Sequence, residues 1–213
     1  MIPQLVIFDC DGVLVDTETH TEVVLSTYFS THGLPIAPAG VRDLFLGGTM
    51  EGAGAEAARR GAKLPENWLD EIYDAVFAAL RTGVMVFDGV SDLLDALDAA
   101  GVAVAVASNG PMAKMKVSLG PSGLWDRLHG RIYSREDHAP KPAPDMLLAA
   151  CRDNGVTPTQ AIMIDDSTAG IRAADAAGMP AIGFAAASNA DKLRATGHPV
   201  TYTMAQVQNL LGL

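Results

Sequence analysis

The chain has 213 residues, of which 49% are hydrophobic and 19% are charged. This length can form one or two domains with a sizeable core, and the balanced composition excludes a disulfide-stapled miniprotein and an intrinsically disordered chain. With 15 Lys and Arg against 25 Asp and Glu, the formal net charge is −10, which disfavours partners such as nucleic acid or an anionic membrane because a negative field repels phosphates.

The first predicted element is a strand at Leu5–Phe8, which ends at Asp9. Its four residues are all apolar. Continuous rather than alternating apolarity is typical of strands that are buried on both faces, as in a parallel sheet with helices on both sides. The run therefore predicts a central strand of an α/β sheet.

Residues 17–83 interrupt this pattern, because they show helical periodicity and no convincing strand. Apolar residues at helical spacing precede Gly33 and Gly83, and Pro65 is well placed to begin the second of these helices. We expect the apolar face of that helix to be core rather than an interface. An all-helical block inserted directly after the first strand predicts a cap over the carboxyl edge of the sheet.

From residue 84 onward, apolar runs and helices alternate. The helical segments stop at Gly101, Gly155 and Gly178, where a left-handed turn is expected. A closing helix is expected at 204–213. The predicted strands lie at 102–107, 161–164, 181–184 and 200–202.

These elements predict an α/β fold with a doubly wound, Rossmann-like and mostly parallel sheet. The expected domains are a catalytic core formed by residues 1–16 and 84–213 and an inserted all-helical cap formed by residues 17–83.

Cys10 and Cys151 are the only cysteines, and both lie in apolar segments, so we expect reduced core residues and no disulfide. The N-terminal segment lacks the basic region of a signal peptide, and no apolar run is long enough to span a bilayer. The expected location is the cytoplasm.

The segment that follows the first strand carries two acids, Asp9 and Asp11, with Gly12 directly after them. Beyond a buried strand the chain turns, so both carboxylates can point into the crevice where α/β proteins bind ligands. Asp-Gly pairs are also common in ordinary turns, so this segment alone does not establish a catalytic site.

A second acidic pair, Asp165 and Asp166, follows the 161–164 strand and precedes a helix with Ser167. One of these residues could simply cap that helix, but two adjacent acids exceed what a cap requires. If the two strands are neighbours, the carboxylates meet, and each pair at ~4 Å repels by ~4 kcal/mol at an effective dielectric constant of about 20. Such a cluster stays ionised around a cation, and oxygen ligands favour Mg²⁺ over zinc.

Two further segments could bind an anion. Ser108-Asn109-Gly110 follows the 102–107 strand, and Lys141 opens the segment K-P-A-P-D. A hydroxyl with backbone N–H groups at a helix start binds anions, and a lysine supplies a point charge for phosphate. Singly, each has an ordinary explanation, an N-cap for the serine and a solvated loop for the lysine. Together, the four segments all fall on one edge of one sheet.

The order D-x-D-G-x-x-x-D, S-N-G, K-P-x-P-D and D-D-S-x-x-G resembles the haloacid dehalogenase superfamily of phosphohydrolases, and the likeness covers essentially the whole chain. The insertion is similar to the small helical cap shared by phosphoglycolate phosphatases, β-phosphoglucomutases and many sugar phosphatases. More narrowly, S-N-G-P followed by Lys114 and Met115 resembles the 6-phosphogluconate phosphatase branch.

The resemblance implies that Asp9 is the nucleophile of an aspartyl-phosphate mechanism and that Asp11 is its acid and base. It also implies that Mg²⁺ binds Asp9, the backbone carbonyl of Asp11, and Asp166. Asp165 would bind the ion directly or through water.

The phosphoryl oxygens would be held by Ser108, the backbone around Asn109, and Lys141. The resemblance further implies that several residues of the insertion face the leaving group and determine specificity. These residues are Glu18, His20, Gly47, Gly48 and Thr49.

Departures from the family pattern distinguish among its branches. True haloacid dehalogenases lack the second acid of the first motif, so Asp11 favours phosphoryl transfer. Mutase members usually carry an arginine where Met50 follows Thr49, which favours a hydrolase over a β-phosphoglucomutase-like mutase, although another arginine of the insertion could take that role. A receiver-like phosphoaspartate signalling module is an alternative from another class, but receivers lack such an insertion.

The expected protein is therefore a Mg²⁺-dependent phosphatase of a small sugar or aldonate phosphate, such as 6-phosphogluconate. Its expected partner is a small-molecule phosphate ester, with no nucleic acid and no membrane, and the chain would be a monomer or a weak homo-oligomer. The sequence leaves open the physiological substrate, the oligomeric state and the way in which Asp165 contacts the metal.

Overall fold

The structure is a computed structural model that describes residues 2–41, 44, 49–185 and 189–213. The chain divides into two compact units. One contains residues 1–16 and 85–213, and the other contains residues 17–84.

Eight strands are described, and all belong to the first unit. They are β1 (Leu5–Phe8), β2 (Val15–Asp16), β3 (Met85–Val86), β4 (Ala103–Ser108), β5 (Ile132–Ser134), β6 (Ala161–Asp165), β7 (Ala181–Phe184) and β8 (Val200–Thr201). Six of them form one sheet in the order β5-β4-β1-β6-β7-β8, with every neighbouring pair parallel. The α/β fold with a Rossmann-like parallel sheet is thereby confirmed.

The helices lie in both units. The second unit contains α1 (Glu18–Thr31), α2 (Pro38–Val41), α3 (Met50–Arg59) and α4 (Trp68–Arg81). The first contains α5 (Val90–Ala99), α6 (Met112–Leu119), α7 (Leu124–Leu128), α8 (Asp145–Asp153), α9 (Thr168–Ala177), α10 (Ala190–Arg194) and α11 (Met204–Leu211), with a short 3-10 helix at Pro158–Gln160.

Strand β1 lies at the centre of the six-stranded sheet, between β4 and β6. Along the chain, the sheet grows from β1 through β4 to β5 on one side, and then through β6 and β7 to β8 on the other. The strand order therefore reverses at β1. In open α/β sheets, ligands bind outside the carboxyl ends of the strands at such a switch point.

The core of the first unit explains the continuous apolarity of β1. Leu5 and Ile7 belong to a buried cluster that also contains Ile171 of α9. Successive side chains of a strand point to opposite faces of a sheet, and Val6 and Phe8 are also at most 1% exposed. Both faces of the strand are therefore covered, as the sequence pattern predicted.

Some elements were not predicted. Strand β5 has only three residues, and its Tyr133 combines an apolar ring with a polar tip, so the sequence shows no clear apolar run there. The two-residue strands β2 and β3 form an antiparallel ribbon in which Val15 pairs with Val86. Helix α4 begins at Trp68 rather than at Pro65, because the Trp68 N–H donates to the Pro65 carbonyl in a turn that precedes the helix.

The second unit has its own apolar core. Leu25 and Phe29 of α1 are fully buried, as are Ile72 and Leu80 of α4. Part of the apolar face of α4 is therefore core, as expected, whereas Tyr73 and Phe77 on the same helix are half-buried. Over the ranges described, none of the helices has the length and apolarity needed to cross a membrane.

Burial of the sheet on both faces leads to a prediction about stability. Met163 and Ile164 are consecutive residues of β6 with 0% exposure, so their side chains enter opposite layers of the core. Replacing either one by alanine should lower the free energy of unfolding by about 2–5 kcal/mol, because each change leaves a cavity. Denaturant unfolding checks this, with Leu210→Ala as the control because Leu210 is 54% exposed. Two-sided burial would be contradicted if one of the two core variants lost little free energy of unfolding while the other lost much.

Candidate active site

Three neighbouring strands deliver polar side chains to one edge of the sheet. Asp9 directly follows β1, Ser108 ends β4 and Asp165 ends β6. The Asp9 N–H donates to the Ile164 carbonyl at 2.9 Å, so Asp9 continues the pairing of β1 with β6. These side chains therefore lie at the switch point of the sheet, on a single edge as the sequence predicted.

Lys141 lies between two of these carboxylates. Its Nζ donates to Asp9 Oδ1 and to Asp165 Oδ2, each at 2.6 Å. The lysine is 6% exposed and Asp165 is 0% exposed, so these ion pairs are shielded from water. Burial opposes the charge of the ammonium group, but Asp165 and Asp9 outweigh it and hold the pKa of Lys141 above its ordinary value. The lysine is therefore a fixed cation.

Asp9 and Asp165 also belong to a cluster of three carboxylates. Asp9, Asp165 and Asp166 each offer an oxygen, and these oxygens lie within 4.8 Å of one another. Burial raises the pKa of Asp9 to about 7, Lys141 opposes this, and the charges of Asp165 and Asp11 add to it. Closely spaced oxygen donors of this kind suit a hard divalent cation, so the residues present fit Mg²⁺.

Two glycines make room for the cluster. A Cβ on Gly12 would lie 2.5 Å from Asp166 Oδ2, and Gly12 has a φ of +83°, which also favours glycine. A Cβ on Gly170, in α9, would overlap the Asp165 carboxylate. The carboxylates therefore occupy space that any other residue at these two positions would need.

Asp165 is oriented by the start of α9. The Ser167 N–H and hydroxyl donate to Asp165 Oδ1 at 2.8 and 2.6 Å. Ser167 is the N-cap, because its Oγ accepts from the Gly170 N–H at 3.1 Å. Asp165, Asp166 and Ser167 could each have capped this helix. Ser167 is the cap, and Asp165 faces Lys141.

The S-N-G segment connects β4 to the lysine. Ser108 is 2% exposed, and its Oγ accepts from the Gly110 N–H at 3.0 Å. The Asn109 side chain forms two hydrogen bonds with the backbone of Lys141. It accepts from the Lys141 N–H at 2.7 Å and donates to the Lys141 carbonyl at 2.9 Å. The amide of Asn109 thus positions Lys141, and a phosphate contact by this residue would be made through its backbone.

Asp11 takes part in an ion pair that was not predicted. Lys114 Nζ donates to Asp11 Oδ2 at 2.7 Å, and the two side chains are 17% and 21% exposed. Burial opposes the charge of the lysine, but Asp11 outweighs it and raises the pKa of Lys114. One sequence signal could have indicated this pair: a lysine in the first turn of a helix opposes the helix dipole and so needs a nearby anion.

The residues predicted to determine specificity lie in the second unit or outside the described residues. Glu18 is the first residue of α1, and His20 lies in its first turn, with a buried Nδ1 that has no hydrogen-bond partner in the described part of the chain. Thr49 caps α3 by accepting from the Gly52 N–H at 3.1 Å. Two of these predictions, Gly47 and Gly48, fall outside the described residues.

The first unit thus brings six charged side chains to one sheet edge. The four acids Asp9, Asp11, Asp165 and Asp166 together with Lys114 and Lys141 leave two formal negative charges. A divalent cation would neutralise this remainder. The arrangement offers a buried carboxylate that can act as a nucleophile, a second carboxylate two residues away, and fixed cations for an anionic substrate.

Comparison with known proteins finds a matching family model and several relatives. The family model described as haloacid dehalogenase-like hydrolase matches residues 6–184. The chain is 30% identical to a 6-phosphogluconate phosphatase of Escherichia coli over 86% of this chain and 83% of that protein. It is 31% identical to a phosphoglycolate phosphatase of Xanthomonas campestris over 84% of this chain and 82% of that protein.

A solved structure extends the likeness to the fold. A HAD family hydrolase from Deinococcus radiodurans, crystallised with bound phosphate and sodium, superposes with a TM-score of 0.82 at 29% identity. The superposition covers 96% of this chain and 93% of that one. The likeness therefore includes both compact units.

The buried lysine makes a testable prediction. Lys141→Met should lower the free energy of unfolding at pH 8 by about 3–5 kcal/mol, because it leaves Asp9 and Asp165 buried without their cation. Denaturant titration in chelator checks this, so that no added metal can replace the lost charge. Lys192→Met is the matched control, since Lys192 is exposed on α10 and should change stability by about 0.5 kcal/mol or less. Equal losses in the two variants would contradict a structural role for the ion pairs.

Proposed function

The chain belongs to the haloacid dehalogenase-like hydrolase family and is an enzyme of its phosphatase type, and from this premise we propose that it is a Mg²⁺-dependent phosphatase of a small sugar or aldonate phosphate. The observation that carries the proposal is the position of Asp9. This carboxylate lies at the switch point of the sheet, within reach of Lys141 and beside a second acid, Asp11. These groups are what transfer of a phosphoryl group through a carboxylate requires.

In the first half of the proposed reaction, a carboxylate oxygen of Asp9 attacks the phosphorus of the ester. The Asp9 O–P bond forms as the P–O bond to the leaving group breaks, which yields an aspartyl-phosphate. Asp11, in its protonated form, gives its proton to the departing alkoxide, so an alcohol leaves. Lys141, Ser108 and backbone N–H groups near Asn109 hold the phosphoryl oxygens as charge develops on them.

In the second half, water attacks the phosphorus of the aspartyl-phosphate. Asp11, now ionised, takes a proton from this water, and the bond between Asp9 and phosphorus breaks. Inorganic phosphate leaves, and both carboxylates return to their starting state. A base that sits two residues from the nucleophile can serve both halves without any large movement of the backbone.

Asp9, Asp166 and the backbone carbonyl of Asp11 are the proposed holders of Mg²⁺, with Asp165 bound directly or through water. The fit rests on the three carboxylate oxygens within 4.8 Å of one another and on the two formal negative charges left by the surrounding lysines. When bound, Mg²⁺ supplies positive charge that offsets the repulsion between the carboxylates and the phosphate.

The proposed substrate class comes from the relatives. One is named for 6-phosphogluconate and another for phosphoglycolate, and both of these substrates carry a carboxylate besides the phosphate. We propose that the second unit determines which such ester is accepted, with Glu18, His20 and Thr49 as its candidate contacts. A β-phosphoglucomutase-like activity is the second candidate. Met50 after Thr49, where mutases usually carry an arginine, favours hydrolysis.

The nucleophile is tested by substitution. The wild-type protein should release nitrophenolate from p-nitrophenyl phosphate in Mg²⁺ and lose this activity in chelator. Asp9→Asn should lower the rate at least ~1,000-fold, because an amide cannot form the aspartyl-phosphate. Asp92→Asn, an exposed aspartate of α5, is the control and should retain the wild-type rate.

The result that would overturn this mechanism is activity that survives in Asp9→Asn or in chelator. Isomerisation of a hexose 1-phosphate faster than its hydrolysis would favour the mutase instead. Incubation with radiolabelled substrate, followed by acid quench, should also leave label on the wild-type protein and none on Asp9→Asn.

Specificity is tested at His20, whose buried Nδ1 has no hydrogen-bond partner among the described residues. If His20 contacts the leaving group, His20→Ala should raise KM about 10-fold for the preferred sugar or aldonate phosphate. The effect should be much smaller for p-nitrophenyl phosphate, whose aryl leaving group has no hydroxyl or carboxylate substituents. Steady-state kinetics on a panel of phosphate esters check this. His129→Ala, an exposed histidine of the first unit, is the control. Equal effects on all esters would exclude a specificity role.

A further inference from the structure

Lys114 occupies a position that helix energetics alone disfavours. It is the third residue of α6, which is separated from the S-N-G segment only by its N-cap, Pro111. A cation in the first turn faces the positive end of the helix dipole, which is unfavourable unless an anion compensates it. The compensating anion is Asp11, whose Oδ2 accepts from Lys114 Nζ at 2.7 Å.

The loop between β4 and α6 leaves space for this ion pair. A Cβ on Gly110 would lie 3.3 Å from Ser108 Oγ and 3.7 Å from both Asp11 Oδ2 and Lys114 Cδ. The glycine thus lies against the acid, the stem of the lysine and the predicted phosphate-binding hydroxyl. A side chain at this position would press on the serine hydroxyl and would contact the acid and the lysine.

The two lysines of the site serve different carboxylates. Lys141 contacts Asp9 and Asp165 and is buried, whereas Lys114 contacts Asp11 and is 17% exposed. The proposed nucleophile and the proposed acid and base therefore have separate cations. Replacing Lys114 should affect Asp11 while leaving the contacts of Asp9 in place.

We infer that Lys114 is a positioning residue for Asp11, holding its carboxylate in the orientation needed to take a proton from water in the second half of the reaction. The inference rests on the proposed function. An aspartate that is 21% exposed is less confined by packing than a buried one, and a charge-assisted hydrogen bond favours the rotamer that makes it. A displacement of about 1 Å in a reacting group can cost ~100-fold in rate.

A burst experiment separates the two halves of the reaction. Nitrophenolate is a good leaving group that needs no proton, so transfer from p-nitrophenyl phosphate to Asp9 depends little on Asp11. In stopped flow, Lys114→Met should release about one nitrophenolate per active enzyme in a fast phase. The following steady phase, which reports hydrolysis of the aspartyl-phosphate, should be about 10- to 100-fold slower than in the wild type.

Three companion variants make the test specific. Lys116→Met, an exposed lysine on the same helix, should behave as the wild type. Lys114→Arg keeps the charge and should recover most of the steady rate. Adding Lys114→Met to Asp11→Asn should change the rate by less than about twofold, because residues that act through one another are not additive.

A steady rate in Lys114→Met equal to the wild type would overturn the inference. A parallel fall in burst amplitude and steady rate would also overturn it, because that result indicates loss of folded protein or of the nucleophile. So would a full further loss of steady rate when Lys114→Met is added to Asp11→Asn. If Lys114→Met does not melt cooperatively, the variants Lys114→Gln and Lys114→Arg replace it. A full burst with a slowed steady phase in Lys114→Gln, but not in Lys114→Arg, supports the inference. Equal steady rates in these two variants overturn it. Failure of the proposed function differs from all these, since the wild type itself would then release no nitrophenolate.

Discussion

The ion pairs of Lys141 with Asp9 and Asp165 are the interaction on which the rest of the site depends. They join residues that are 132 and 24 positions apart in the sequence and that come from two neighbouring strands and a loop. Charges buried this deeply are unfavourable unless each is paired and hydrogen-bonded. The surrounding structure meets that demand: Asn109 clamps the lysine backbone, and Ser167 donates twice to Asp165. The contacts that arrange these side chains therefore also stabilise the fold.

The sheet explains why these residues meet. All six strands are parallel, so their carboxyl ends share one edge, and the order reverses at β1. Asp9 follows the central strand and consequently has neighbours on both sides, Ser108 from β4 and Asp165 from β6. Much of this was predictable, because apolar runs followed by polar residues mark strand ends even in a single sequence. The short strand β5 and the ribbon of β2 with β3 were not, since a run of two or three residues carries no periodicity.

Side-chain partners were harder to predict than strand ends. Asp11 and Lys114 are 103 positions apart in the sequence, and only the fold shows that they form a pair. The sequence indicates that Asn109 lies near an anion site, but not that its amide binds the backbone of Lys141 rather than a ligand. Pairings of this kind depend on backbone positions set by the whole sheet. A pattern of residue types can therefore place a functional residue without revealing what holds it.

The distribution of charge also answers how a chain with a net charge of −10 could accept an anion. Its site is acidic as well, but two lysines are paired at short range with three of the four carboxylates, and a bound divalent cation would cancel the remaining charge. At distances below 4 Å these local charges outweigh the distant surface acids, whose field is screened over about 8–10 Å in salt. The two acids after β1 then differ by environment: Asp9 is buried with a buried lysine, and Asp11 is partly exposed with its own lysine. A shielded carboxylate suits bonding to phosphorus, and one that water can reach suits proton transfer.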